Sequence, residues 1–393
     1  MMDPTWLLFL LPLAGLSGWI AAKRGRFHGT HSSGSTVLSE PYVRSINFLA
    51  NDQHDEALDV LAKALEDHDE SLEIQLALGT LFRRRGEIEK ATQIHQSLIS
   101  RAGISPEQKS LVLFELANDY FKAGLLDRAE NLLLELGVSE SLREASLRLL
   151  VQIYESEREW ERAIAAAEAL DRLTGEAWAP RIAQYQCEMA ERALIAGDYS
   201  AAKNRAAKAL RLNRNCARAI ILRGRLEALG GKHRQAVTTW TRLCAEHPEM
   251  LHEVTRLVQT SAQSMNDAEI YLEFLRRAIA ISSDERLQLS LADFLLEARR
   301  TEEAEALLRS WSKEEGSLSG LHRLLEIRAE RDLTGEASGD YQLMRKVAGR
   351  LLADRSGYEC RFCGFQGKSM HWQCPGCRHW DTTAPRLNTI KLS

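Results

Sequence analysis

The sequence predicts an all-α chain of stacked helix pairs, with an apolar N-terminal helix and a small cysteine-rich ribbon at the C-terminus. Three observations carry this reading. Leu, Ala, Glu and Arg are abundant while aromatics make up only 7%, a composition that favours helix. A pattern of small residues returns about every 34 positions. Four of the seven cysteines fall within 18 residues near the end. The 393 residues suffice for two or three domains and a sizeable core. Eight prolines and 24 glycines are too few for a disordered or collagen-like chain. Fifty-one Lys and Arg against 55 Asp and Glu leave a net charge of −4, which argues against nucleic acid as a partner.

The N-terminal element runs from Trp6 to Ala22 (WLLFLLPLAGLSGWIAA) without a charge. As a helix it would be about 25 Å long, the low end of what spans a bilayer core. Trp6 and Trp19 stand near its ends, where indoles suit the interface. Lys23, Arg24 and Arg26 follow it, and only Asp3 precedes it. A cleaved signal peptide would carry its basic residues on the other side. Residues 1–26 therefore read as a single-pass anchor with its basic flank. Positive charge gathers on the cytoplasmic side, so the bulk of the chain is expected there. Residues 27–37 (FHGTHSSGSTV) lack an apolar period and read as a flexible tether.

Residues 38–353 carry apolar positions at helical spacing, broken by polar or Gly turns. Ala57, Ala91, Ala129, Ala163, Ala202 and Ala236 recur at steps of 34, 38, 34, 39 and 34. Two further steps of 34 reach Ile270 and Ala304. A two-helix unit of that length resembles the tetratricopeptide repeat, whose units stack because none can bury its apolar face alone. Leu78-Gly79, Phe82, Gly86 and Ala91 carry the resemblance in one unit, and Gly224, Trp240 and Pro248 in another. Six units are clear and eight are suspected. The expected architecture is a right-handed superhelix with a concave groove lined by the first helix of each unit. Mapping the family's groove positions gives Arg83, Asn118, Arg148, Gln152, Glu191, Arg218 and Arg225. Arginines among them would suit carboxylates on a bound peptide.

Residues 354–393 hold Cys360-x2-Cys363 and Cys374-x2-Cys377. Two such turns facing each other make a tetrahedral four-sulfur site. Gly364 follows one pair and Pro375-Gly376 lies inside the other, giving the backbone freedom to aim N–H groups at sulfur. Zinc is favoured and iron is the alternative, since both accept tetrahedral sulfur. The fragments YECRFCGF and CPGC resemble rubredoxin knuckles, with a shorter spacer. Trp372, Trp380 and Phe365 offer apolar area for docking on the last repeats. Cys187, Cys216 and Cys244 read as small core residues. No phosphate loop, dinucleotide fingerprint or hydrolase motif is present, so the chain does not read as an enzyme.

The order of anchor, repeats and knuckle resembles the lipopolysaccharide assembly protein B family of Gram-negative bacteria. The segments NFLANDQHDEALD, LGTLFRRRGEIEKATQIHQSL, NDYFKAGLLDRAE and YECRFCGFQGKSMHWQCPGC carry the resemblance. It implies a non-enzymatic inner-membrane adaptor that works with the FtsH membrane protease. Together they promote proteolysis of the LpxC deacetylase and so limit lipopolysaccharide synthesis, with links to other lipopolysaccharide assembly proteins. The knuckle cysteines carry over as Cys360, Cys363, Cys374 and Cys377; no motif carries over the groove residues. A membrane-tethered repeat scaffold for another envelope complex is the alternative, and a redox protein with iron at the knuckle is the third reading.

Overall fold

The computed structural model describes residues 71–136, 140–331, 338–353 and 357–386, together with Phe48, Glu56 and Val60. The expected anchor at 1–26, the tether at 27–37 and the repeat around Ala57 lie outside the described residues. Among the described residues, no helix is long and apolar enough to cross a membrane. The chain divides after Leu125 into two compact units.

The first unit contains α1 (Leu72–Arg85), α2 (Ile88–Ile99) and α3 (Pro106–Lys122). Ser71 caps α1 by accepting the Ile74 N–H. Ser105 and Gln108 form a reciprocal capping box on α3, with Pro106 in its first turn. Ile74, Leu78 and Leu81 form one buried cluster, and Leu72, Leu76, Leu98 and Val112 another. Gly79 lets His95 approach: a Cβ there would lie 2.4 Å from His95 Nε2. The buried His95 meets Asp119 at 2.5 Å through Nδ1. Arg83 donates to Asp119 at 2.8 Å and to Glu115 at 2.5 Å.

The second unit begins with α4 (Leu126–Leu136), α5 (Arg143–Glu157) and α6 (Trp160–Thr174). It continues through α7 (Ala179–Ile195), α8 (Tyr199–Leu212), α9 (Ala217–Leu229) and α10 (His233–Thr241). A short α11 (Leu243–Glu246) follows, and Pro248, which cannot donate an N–H, opens a 3₁₀ turn over Pro248–Met250. Then come α12 (Leu251–Ser264), α13 (Ala268–Ile281), α14 (Glu285–Glu297) and α15 (Thr301–Glu314). A further hairpin, α16 (Leu318–Arg331) and α17 (Ser338–Ala353), lies past the last repeat alanine. The ribbon is a three-stranded antiparallel sheet of β1 (Tyr358–Cys360), β2 (Gln366–Gly367) and β3 (Thr383–Pro385), in the order β2-β1-β3. Glu359 pairs with Gln366 on one side and with Ala384 on the other.

The repeat is visible in its smallest parts. Ala91, Ala129, Ala163, Ala202, Ala236 and Ala304 each sit three residues into a helix and are fully buried. Gly86, Gly124, Arg158, Gly197, Gly231, Asn266 and Arg299 all take left-handed φ at the end of the preceding helix. The next N–H in each case reaches back five residues, as from Glu87 to the Phe82 carbonyl or Lys232 to the Glu227 carbonyl. This is a repeated Schellman-type closure. An L residue in the left-handed region costs roughly 1–2 kcal/mol relative to glycine. Arg158→Gly, at an exposed position, is therefore expected to stabilise the fold by about 1 kcal/mol in denaturant titration. A loss of stability would refute the strain argument.

At one unit the alanine period slips. The position three residues into α13 is Tyr271, not Ile270, and it is buried. Ala262 stands in α12 where Phe82 stands in α1, each accepting the closing N–H of its turn. In this unit the small residue lies in the first helix and the large one in the second, the reverse of Phe82 and Ala91. Tyr271 packs edge-on against Phe294 of α14, with centroids 5.4 Å apart.

Gly224 is the tightest approach. A Cβ there would lie 2.2 Å from Trp240 Nε1. Trp240 is 1% exposed and donates that N–H to the Ile221 carbonyl at 3.1 Å, so it has nowhere to go. Gly224→Ala is expected to cost about 1–3 kcal/mol in denaturant unfolding, despite alanine's better helix propensity. A gain in stability would show that α9 and α10 can separate freely.

Candidate metal centre

The four-cysteine site is made by two matching turns. Gly364 N–H donates to the Cys360 carbonyl at 2.9 Å, and Arg378 N–H to the Cys374 carbonyl at 2.8 Å. Both Gly364 and Arg378 are left-handed. Cys360 N–H reaches the Phe365 carbonyl and Cys374 N–H the His379 carbonyl, closing each knuckle. Gly376 sits where the knuckles come close: a Cβ there would meet Phe365 Cβ at 3.3 Å and Cys363 Sγ at 3.4 Å.

The sulfurs of Cys360, Cys363, Cys374 and Cys377 all lie within 4.8 Å of one another. Cys360 to Cys377 and Cys363 to Cys374 are both 3.7 Å apart. That is far beyond a disulfide bond. It matches the edge of a tetrahedron with metal–sulfur bonds of about 2.3 Å, for which sulfurs stand about 3.8 Å apart. Burial opposes ionisation of Cys360, but the Thr382 hydroxyl and the N–H groups of Cys363 and Phe362 outweigh it and hold its pKa at about 6. Burial pushes Cys377 up to about 12, and the His379 N–H offsets only part of that rise. One thiolate forms readily; the whole set needs a cation among the sulfurs. The site thus suits one tetrahedral metal ion.

The ribbon is seated on the repeats of its own unit. Trp380 Nε1 donates to Glu155 Oε1 at 2.7 Å, across 225 residues of sequence. Its ring stands edge-on to Trp160 and Tyr185, at 6.0 and 5.7 Å between centroids. The Glu155 side chain is 3% exposed. It also accepts from Tyr185 at 2.6 Å and from both prongs of Arg181 at 2.9 and 2.7 Å. Burial and then Glu155 raise the Tyr185 pKa, keeping the hydroxyl a donor. Arg378 completes this corner by donating to Ser156 at 2.8 Å.

A second contact joins Tyr358 to Glu253 of α12, and Arg286 of α14 donates to the same phenol at 2.6 Å. Burial and then Glu253 push the Tyr358 pKa up to about 12. Trp372 packs on the core around Trp240, with the Arg218 guanidinium 5.7 Å above its ring. Docking on the last repeats was the sequence expectation. The structure instead sets the ribbon across the helices from α5 to α14. Phe365 stays within the ribbon, against Gly376 and edge-on to His371 at 6.4 Å.

The sequence-derived groove residues fall into separate settings. Arg218 is buried between Glu188 and Glu191, at 2.7 and 2.9 Å, so Arg218 and Glu191 belong to one cluster beneath the ribbon. Arg148 bonds Glu144 and Glu176 and lines a 560 Å³ cleft with Gln152 and Trp380. Arg83 is engaged by Glu115 and Asp119 in the first unit. Asn118 donates to the Phe114 carbonyl of its own helix. Arg225 is exposed on α9. Sequence reasoning did not single out Glu155; it placed Tyr358 only within the knuckle fragment and Arg378 only among the cations that offset the charge of the thiolates. A carboxylate among the apolar positions of α5 was the only available signal.

Buried-alanine helix hairpins carrying a four-cysteine ribbon define a tetratricopeptide-repeat protein with a rubredoxin-like metal domain. Family models agree: the tetratricopeptide repeat matches residues 42–103 and 187–249, and the rubredoxin metal binding domain matches 358–385. The chain belongs to the lipopolysaccharide assembly protein B family. It is 31% identical over 379 residues to lipopolysaccharide assembly protein B of Escherichia coli strain K12, covering 96% of this chain and 97% of that one. It is 30% identical over 393 residues to the protein of that name in Haemophilus influenzae, covering 97% and 98%. Among solved structures, the C-terminal part of a tetratricopeptide repeat protein from Cytophaga hutchinsonii matches at 14% identity. That match covers 76% of this chain and 98% of that one, with a TM-score of 0.39.

Proposed function

We propose that the chain is a non-enzymatic inner-membrane adaptor that limits lipopolysaccharide synthesis. In this reading it presents the LpxC deacetylase to an FtsH-type protease. The observation that carries the reading is the near-full-length match to lipopolysaccharide assembly protein B. The docked ribbon supports it: a metal-stapled clamp across the repeats gives an adaptor a fixed surface. Residues 1–26 act as the anchor, holding the array on the cytoplasmic side. Tethering raises its effective concentration toward a membrane protease without any new contact. Zinc fills the four-sulfur site in a structural role, and elemental analysis should return one zinc per chain; one iron would favour the redox reading.

The deciding experiment is the half-life of LpxC in cells with the intact chain, without it, and with Cys360→Ser/Cys363→Ser. Slower turnover on loss and in the cysteine variant is expected. An unchanged half-life in all three would leave a repeat scaffold with another client.

A further inference from the structure

Between α8, α9 and the turn into α10 lies a slot of 640 Å³, within the range of small-molecule sites. Its floor is apolar, made by Ala206 and Leu210 from α8 and Leu226 from α9, with Ala207 and the Tyr199 ring beside them at the mouth. Small side chains on α8, Ala206 and Ala207, leave the space. Its rim carries Lys203, Arg211, Arg223 and Lys232. Glu227 is the one carboxylate of the lining, and it is already held by Arg223 at 2.9 Å and by the Thr239 hydroxyl at 2.6 Å. Apolar surface continues around the mouth, where Tyr199 is 55% exposed and Leu229 is 59% exposed. An uncovered apolar area beside a cluster of cations calls for a ligand with both characters.

We propose that this slot binds a monomeric anionic amphiphile. Its alkyl chain lies on the alanine–leucine floor and its phosphate head meets the rim cations. Of the two arginines, whose planar forks suit phosphate oxygens, Arg223 already pairs with Glu227, so the head is met chiefly by Arg211, Lys203 and Lys232. The proposal does not depend on the adaptor reading, because binding is measured on the protein alone.

The test uses the full chain in lipid nanodiscs and a 12-carbon alkyl phosphate bearing a terminal diazirine. After photolysis, labelled residues are mapped by mass spectrometry. Saturable labelling of α8 and α9 is expected, competed by dodecyl phosphate but not by equal concentrations of inorganic phosphate or dodecyltrimethylammonium. Lys203→Glu/Lys232→Glu should reduce labelling at least tenfold. Both side chains are exposed, and a carboxylate at residue 232, before α10, does not oppose the helix dipole. Ala207→Trp, also at an exposed position, should fill the slot and abolish labelling. Equal labelling in the variants, or equal competition by the cationic amphiphile or by inorganic phosphate, would overturn the proposal. So would a dimer that Ala207→Trp dissociates and dodecyl phosphate leaves intact, because a second copy would then be the occupant.

Discussion

Stripping the metal, by a chelator or by Cys360→Ser/Cys363→Ser, is expected to unfold residues 357–386 while the helices remain folded. The ribbon has strands of only 3, 2 and 3 residues and a single central strand to pair them. Structural zinc in comparable small sites contributes on the order of 10–16 kcal/mol of binding free energy, much of which is folding free energy. Nothing inside the ribbon is large enough to replace it. Amide exchange in 357–386 should rise toward unfolded rates. Trp380 emission should shift to the red as the ring leaves Trp160 and Tyr185. The repeats keep their own buried core, from Ile220 and Trp240 through Leu275 to Leu287, and should still unfold cooperatively. Retained exchange protection without metal would mean that docking through Glu155, Arg286 and Glu253 suffices to hold the ribbon.

The second large effect is expected at Glu155, far from the metal in sequence. One buried carboxylate serves Arg181, Tyr185 and Trp380 together. Glu155→Ala removes the acceptor and leaves a guanidinium, a phenol and an indole N–H competing for water in a packed site. Breaking a buried ion pair on one side costs about 3–5 kcal/mol, and the one-third exposure of Arg181 puts this pair at the low end, about 3 kcal/mol. Denaturant unfolding should show that loss, and amide exchange should show the ribbon opening at its Trp380 end. Trp380→Ala separates the two roles: it should loosen the ribbon and leave the Glu155–Arg181 pair in place. A change under about 0.5 kcal/mol for Glu155→Ala would sink the view of this residue as the hinge pin between repeats and ribbon.

The sequence and the structure meet where the physics is local. The repeat alanines were legible because close approach of two neighbouring helices demands a small residue at a set place in every unit. The metal knuckles were legible because each pair of cysteines and its turn lie within a few residues. The slip at Ile270 was legible only in part: the unit matches weakly, with the small Ser261 where a bulky residue is expected, but nothing local shows that the buried position of the second helix is Tyr271. The groove positions were found as a pattern, but the pattern holds no record of neighbours. Arg83 and Arg218 prove to be engaged by carboxylates of their own chain.

By itself, then, the sequence determined the helical hairpins, their period and the four-sulfur chemistry, since backbone turns and near-neighbour packing are set over short spans. Only the tertiary structure decided where the ribbon sits. Trp380 reaches Glu155 across 225 residues, and Tyr358 reaches Glu253 across 105. Those partners become neighbours only after the hairpins have stacked. The single buried carboxylate that accepts three donors is a property of that stacking, not of any segment of the chain.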